Sequence, residues 1–144
     1  MELVSRIHVI GRYGVGIVVC AAEGDKRFLP GGRRRPGETL EETVDRELVE
    51  EAGARRTAPL TMLGAQRAVS RRATPVYPGY PHPVAYWAYA VTDVALDGAP
   101  TNPLGDEQVT EVAVLPPPAA ADFVAEHDPV HADVIRLAAA MRLI

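Results

Sequence analysis

Residues 32–54 read GRRRPGETLEETVDRELVEEAGA, and seven acidic side chains fall within the fourteen residues from Glu38 to Glu51. The stretch carries its own helix markers. Thr39 suits an N-cap, with Glu42 three residues on to close a capping box. Gly53 suits the left-handed position after a helix end. Leu40, Val44 and Leu48 supply a buried stripe. Glu47, Glu50 and Glu51 lie at i, i+3 and i+4, so they share one side. At about 100° per residue, Glu51 projects between Leu40 and Val44, and Glu47 lies about 20° to the other side of Leu40. These carboxylates therefore flank the apolar stripe, whereas a solvated acidic face would point away from it, as Glu42 and Arg46 do. Like charges at this spacing repel and disfavour the helix. A cation among them resolves the conflict. Hard divalent ions such as Mg²⁺ take oxygen ligands and bridge carboxylates to substrate phosphates.

Outward from this segment, hydrophobic patterning predicts strands and helices in alternation. Leu3–Ile10 alternates roughly, and Gly11–Gly16 punctuates it. Gly16–Ala22 (GIVVCAA) is a continuous apolar run, the pattern of a strand buried on both faces. Glu23–Lys26 reads as a turn, Arg27–Leu29 as a short returning strand, and Pro30-Gly31-Gly32 as a break. Leu60–Val69, Val84–Val94 and Val109–Leu115 read as strands. Helical patterns follow at Ala119–Glu126 and Val130–Leu143. Strands on both sides of one helix, with further helices at the end, predict an α/β (α+β) sandwich of helices about a mixed sheet.

The chain has 144 residues, a length expected for one domain with a real core. It is 47% hydrophobic and 24% charged, as in ordinary soluble globular proteins. The net charge is −4, and residues 32–54, with seven acids and four arginines, account for −3 of it. The acidity is thus local and is not a field that would repel nucleic acid or steer a cationic partner. One cysteine, Cys20, excludes an intrachain disulfide and a Cys-rich zinc site. It lies in the apolar run and reads as a small buried side chain. No apolar run reaches membrane-spanning length, and MELVSRIHVIGR carries no secretory signal. A cytoplasmic location with no membrane partner and no stable nucleic-acid complex is expected.

Written as a pattern, the segment is Gly32, five residues, Glu38, seven residues, then Arg46-Glu47-Leu48-Val49-Glu50-Glu51-Ala52-Gly53-Ala54. It resembles the signature box of the Nudix hydrolases at all eight fixed positions: Gly32, Glu38, Arg46, Glu47, Leu48, Glu50, Glu51 and Gly53. Leu29-Pro30-Gly31 resembles the usual lead-in. The box spans 23 of the 144 residues. Two positions depart from the pattern. Ala54 stands where a larger aliphatic is usual, and Arg35 where many members carry an acid. The resemblance implies an αβα sandwich with a mixed sheet and a loop–helix–loop metal site. It implies that Glu47, Glu50 and Glu51, with the backbone carbonyl of Gly32, bind Mg²⁺ or Mn²⁺. Arg46 would orient a box glutamate by ion pairing, and Glu38 would support loop and helix. The implied reaction is hydrolysis of a nucleoside diphosphate linked to a group X, giving a nucleoside monophosphate and phospho-X. A homodimer fits the family pattern.

The chemistry agrees with that implication. A pyrophosphate is highly anionic, so metal ions neutralise its oxygens and activate the attacking water, while a carboxylate takes the water proton. The base is divided between Glu47 and a later glutamate. Glu107, in the loop Asn102–Gln108, is preferred over Glu111, which falls on the following strand. The expected catalytic set is therefore Arg46, Glu47, Glu50 and Glu107. Arg33 and Arg35, beside the metal site, are candidates for phosphate contact. Tyr77 and Tyr80, in a Pro-rich loop, are free to stack on a base or sugar. Tyr86 and Trp87, adjacent on a strand, point to opposite faces. The histidines at 8, 127 and 131 have no metal-ligand spacing. Two rivals use the same fold: a non-catalytic nucleotide-binding module, against which the intact box argues, and an isoprenoid-diphosphate isomerase, for which Cys20 is poorly placed. The downstream marks of ADP-ribose and dinucleoside-polyphosphate subgroups are absent at Val69-Ser70-Arg71-Arg72. Nucleoside triphosphates and broader phosphohydrolase substrates are then the default.

Overall fold

A computed structural model describes residues 3–144. The elements run β1 (Val4–Tyr13), β2 (Gly16–Ala22), β3 (Lys26–Phe28), β4 (Gly31–Arg33), α1 (Leu40–Glu47), a π-helical turn (Leu48–Ala52), β5 (Ala54–Arg56), β6 (Thr61–Val69), β7 (Val84–Leu96), β8 (Val109–Leu115), α2 (Pro117–Ala125) and α3 (Pro129–Ala140). All eight strands join one mixed sheet. Its spine is β3-β2-β1-β7-β5, with β4 also on β1, β6 on β7 and β8 on β2. Strands β1 and β7 run parallel, and the other pairs are antiparallel.

Strand alternation sends side chains to two faces, and each face has its own core. Ile7, Val9, Val18, Cys20, Ala88 and Ala90 pack under α1 through Leu40, Val44 and Leu48. Ile10, Ile17, Val19 and Val91 pack under α2 and α3 through Ala121, Val124, Ala132 and Ile135. This is the expected sandwich: one helix on one face, two on the other. Cys20 is fully buried, as its apolar surroundings predict.

The box helix begins as the sequence prescribes. Thr39 accepts the Glu42 N–H at 3.1 Å, and the Glu42 carboxylate accepts the Thr39 N–H at 2.8 Å. Its end differs from expectation, because the α-helix stops at Glu47 and Leu48–Ala52 forms a wider turn. Neighbouring segments satisfy the carbonyls of that turn. Thr101 and Asn102 donate to Val49 and Glu50 at 3.2 and 3.1 Å, and the Cys20 thiol donates to Glu51 at 3.5 Å. A π-turn inside a helix is a common device at functional sites. Here it carries two of the three expected carboxylate ligands. Gly53 closes the turn at φ 60°, and a Cβ there would lie 2.7 Å from the carbonyl carbon of Gly98. Conformation and space both demand glycine.

Other boundaries shift for identifiable reasons. β1 continues through Gly11 to Tyr13 instead of ending at Ile10. A Cβ on Gly11 would come 3.1 Å from Val94, so this glycine permits close packing against β7 and does not break the strand. Helices α2 and α3 start at Pro117 and Pro129, earlier than the apolar pattern indicates. Proline suits the first helical turn because its missing N–H would be unpaired there anyway. α3 ends at Ala140, short of the expected Leu143. Strand β6 is bonded only to β7 among the described strands and is half-exposed on both faces. Among the described residues, no helix is long and apolar enough to cross a membrane.

Candidate active site

Arg46 organises the acidic cluster. Its Nε lies 3.2 Å from both oxygens of Glu38, and its Nη2 donates to Glu38 at 3.0 Å and to the Arg33 carbonyl at 2.9 Å. Nη1 donates to Glu47 Oε1 at 2.9 Å and to Glu50 Oε2 at 3.3 Å. One fork thus joins loop and helix, a geometry a lysine cannot reproduce. Burial works against the Arg46 charge, but the bonds to Glu38 and Glu47 outweigh it and hold the pKa above its usual value. Glu38 also accepts the Arg35 N–H at 3.0 Å. The expected roles of Arg46 as orienter and Glu38 as support have this geometry behind them.

Glu47 and Glu51 are buried, each only 9% exposed. Burial pushes the Glu51 carboxyl up to about 9; the Gly31 N–H, donating to its Oε1 at 2.8 Å, opposes the rise, while Glu47, Glu107 and Glu50 add to it. Glu47 is raised as well, first by burial, against the pull of Arg46 and with Glu50 and Asp106 contributing. A divalent cation would favour the ionised form of these crowded, buried carboxyls. The donor set is all carboxylate and carbonyl oxygen, which suits Mg²⁺ or Mn²⁺ over softer metals. A Cβ on Gly32 would lie 2.9 Å from the Glu47 carboxyl carbon, so only glycine leaves this approach open. The carboxylates are presently turned elsewhere, Glu47 and Glu50 onto Arg46 and Glu51 onto Gly31. Among the described residues no three acidic, histidine or cysteine side chains are arranged to hold a metal ion as they stand. The donor atoms fit such an ion in chemistry, and Gly32 keeps the approach beside Glu47 open.

A cleft of about 500 Å³ opens beside these acids. Strand β4 divides it. A Cβ on Gly31 would meet the His8 ring, 2.8 Å from Cδ2, while one on Gly32 would meet Glu47. The two faces of this short strand therefore look onto two different walls. One wall holds Glu47, Glu50 and Glu51, with Asp106 and Glu107 also lining the cleft. The other holds Arg6, His8, Gln66, Trp87, Tyr89 and His131. His8 and His131 rings lie 4.6 Å apart between centroids, with Tyr89 against both. Burial foremost lowers the pKa of each histidine, so both are neutral at pH 7. His131 Nδ1 accepts the Leu29 N–H at 3.0 Å, tying α3 to the segment that leads into β4.

The sequence-predicted residues divide accordingly. Gly32, Arg46, Glu47, Glu50 and Glu51 come together in the cleft, and Arg33, Arg35 and Glu107 line it. Glu107 is ion-paired to Lys26 at 2.6 Å. Glu111 lies on β8, exposed and paired with Ala21. Tyr77 and Tyr80 are not among the lining residues. Arg33 stacks 3.8 Å from the Tyr77 ring centroid, and the Tyr80 hydroxyl donates to the Arg34 carbonyl. The Pro-rich loop thus straps the arginine loop from outside. Tyr86 and Trp87 do take opposite faces, and Trp87 belongs to the cleft. The second wall escaped sequence reasoning. Its residues meet only because parallel pairing aligns Arg6 with Trp87 and His8 with Tyr89, about eighty positions apart. No local signal marks such a pairing.

Comparison with known proteins follows the same lines. The NUDIX domain family matches residues 11–138. No curated protein sequence matches the chain. Among solved structures, a NUDIX hydrolase from Nitrosomonas europaea superposes with a TM-score of 0.70 at 16% identity, covering 94% of this chain and 88% of that one. A mutant of the Bacillus subtilis pyrophosphohydrolase BsRppH gives 0.69 at 19% identity, covering 98% and 84%. A protein described as an ADP compounds hydrolase gives 0.62 at 16% identity, covering 94% and 71%. At these identities the likeness is one of fold. With the family match spanning both layers of the sandwich and the whole box, the chain belongs to the Nudix family of hydrolases, which act on pyrophosphate bonds.

Proposed function

We propose that the protein is a divalent-metal-dependent pyrophosphohydrolase that cleaves a nucleoside diphosphate linked to a group X into a nucleoside monophosphate and phospho-X. The observation that carries this reading is the buried carboxylate cluster, with Glu51 raised to about 9 beside Glu47 and Glu50 and an open approach over Gly32. Glu47, Glu50, Glu51 and the Gly32 carbonyl would hold Mg²⁺ or Mn²⁺. When bound, the metal supplies charge neutralisation of the phosphate oxygens and Lewis-acid activation of the attacking water. The chain's own residues do the rest. Arg46 sets the orientation of Glu47 and Glu50. The water proton would go to Glu47, whose proton affinity burial raises, or to Glu107, which lines the cleft and pairs with Lys26. Arg33 and Arg35 meet phosphate oxygens. The named activities of two structural neighbours, a pyrophosphohydrolase and an ADP compounds hydrolase, lie within the same reaction class.

The test is a phosphate-release screen over nucleoside triphosphates, dinucleoside polyphosphates and nucleotide sugars, with Mg²⁺, with Mn²⁺ and with chelator. At least one substrate should be cleaved only with metal. Glu50→Gln should lower the rate by about 100-fold or more, the scale of losing one charged group from a preorganised site. A folded Glu50→Gln protein at full rate, or turnover indifferent to chelator, removes the reading.

A further inference from the structure

Outside the acidic cluster, the least balanced charges in the cleft are Arg6 and Arg33. They are cross-strand partners on β1 and β4, so their side chains leave the sheet on the same face. Like charges directly opposite one another destabilise a sheet. Among the described residues neither has a carboxylate within ion-pair distance; Arg35, by contrast, lies 3.7 Å from Glu50. Each instead rests on an aromatic ring. Arg6 lies 5.2 Å from the centroid of Trp87, and Arg33 lies 3.8 Å from that of Tyr77. Stacking holds the guanidinium plane and leaves its edge N–H groups free. Two such forks rising from paired backbone positions on one face offer donors that suit the oxygens of a phosphate.

Along β4 the faces alternate: Gly32 faces Glu47, whereas Gly31 faces His8, and Arg33, two residues on, shares the His8 side with Arg6. The arginines therefore face a different part of any bound molecule from the part held at Glu47, Glu50 and Glu51. We propose that Arg6 and Arg33 form a second anion subsite that reads a phosphate beyond the pair held at the carboxylates, selecting compounds with three or more linked phosphates. A nucleotide sugar, which has only two, leaves this subsite unfilled. The proposal rests on the hydrolase reading only for what is cleaved; the binding preference stands on the arginines alone.

The probes are imidodiphosphate and diimidotriphosphate, whose P–N–P bridges resist hydrolysis, titrated calorimetrically into the full chain in Mg²⁺. The wild type should bind the three-phosphate probe at least tenfold more tightly, the scale of one or two charge-assisted hydrogen bonds. Arg6→Gln and Arg33→Gln should each remove most of that preference, and Arg6→Gln should leave imidodiphosphate affinity within about twofold. Both side chains lie at the cleft and not in either core, so folding is not at stake. Equal affinities in the wild type overturn the proposal, as does a preference that survives both substitutions. An equal loss for both probes also overturns it, because that marks a general field. If the wild type hydrolyses nothing yet keeps an arginine-dependent preference, the subsite stands and the hydrolase reading falls.

Discussion

Replacing Glu51 by glutamine should make the metal-free protein more stable, although it removes a candidate ligand. Glu51 is raised to about 9 in the folded state against 4.5 when free in water. Below pH 4.5 folded and unfolded chains both hold the proton, and the group costs nothing. Between 4.5 and 9 only the folded chain holds it, so stability falls as pH rises, by about 1.4 kcal/mol per pH unit. Above 9 the penalty is complete. At pH 7 it amounts to about 3 kcal/mol, on the order of 10 °C in Tm for a chain of this size. Glutamine avoids it and can still accept the Gly31 N–H. Urea unfolding from pH 5 to 8.5 in chelator should therefore show a declining wild type, a flatter Glu51→Gln, and curves that meet near pH 5. Excess Mg²⁺ should reverse the order at pH 8, because ligand binding stabilises only the protein that binds it. A wild type whose stability is flat with pH in chelator, or a glutamine variant no more stable at pH 8, refutes the argument.

Three further outcomes follow from the geometry. Arg46→Lys should lower kcat by about 10-fold or more with little change in unfolding midpoint, because the lysine keeps charge but loses the fork that fixes Glu47 and Glu50; unchanged kcat would show that the orientation is unimportant. Gly53→Ala should cost about 2–4 kcal/mol in urea unfolding, since the residue sits at φ 60° with its Cβ position occupied by Gly98; a loss below 1 kcal/mol, roughly the cost of an ordinary helix glycine exchange, contradicts this. Trp87 is the only tryptophan and lines the cleft. Its fluorescence should shift on adding nucleotide with Mg²⁺, and a spectrum blind to saturating ligand would place binding elsewhere.

Thr39, Glu42, Leu40, Val44 and Gly53 were legible in the sequence because their information is local: a cap, a stripe and a left-handed stop within fifteen residues. The inward lean of Glu47 and Glu51 was legible for the same reason. The π-turn was not, because what sustains it is donation from Thr101, Asn102 and Cys20, all remote in the chain. Arg6, His8, Trp87 and Tyr89 were unreadable as a wall until β1 and β7 were paired. Tyr77 and Tyr80 show the converse limit. Their exposure in a Pro-rich loop suggested ligand stacking, yet in the fold they engage Arg33 and Arg34. Composition gives a side chain's appetite for partners and not which partner reaches it first.

The hydrogen bonds from Thr101 and Asn102 to Val49 and Glu50 give the site a mechanical linkage. The strand-to-strand excursion that brings Asp106 and Glu107 to the cleft is latched, a few residues upstream, onto the turn bearing Glu50 and Glu51. Slack introduced anywhere in that excursion is therefore transmitted to both ends of the latch. Loosening it by substituting Asn102, whose side chain also clasps Val109 at 2.8 and 3.0 Å, would detune the acids on either side together.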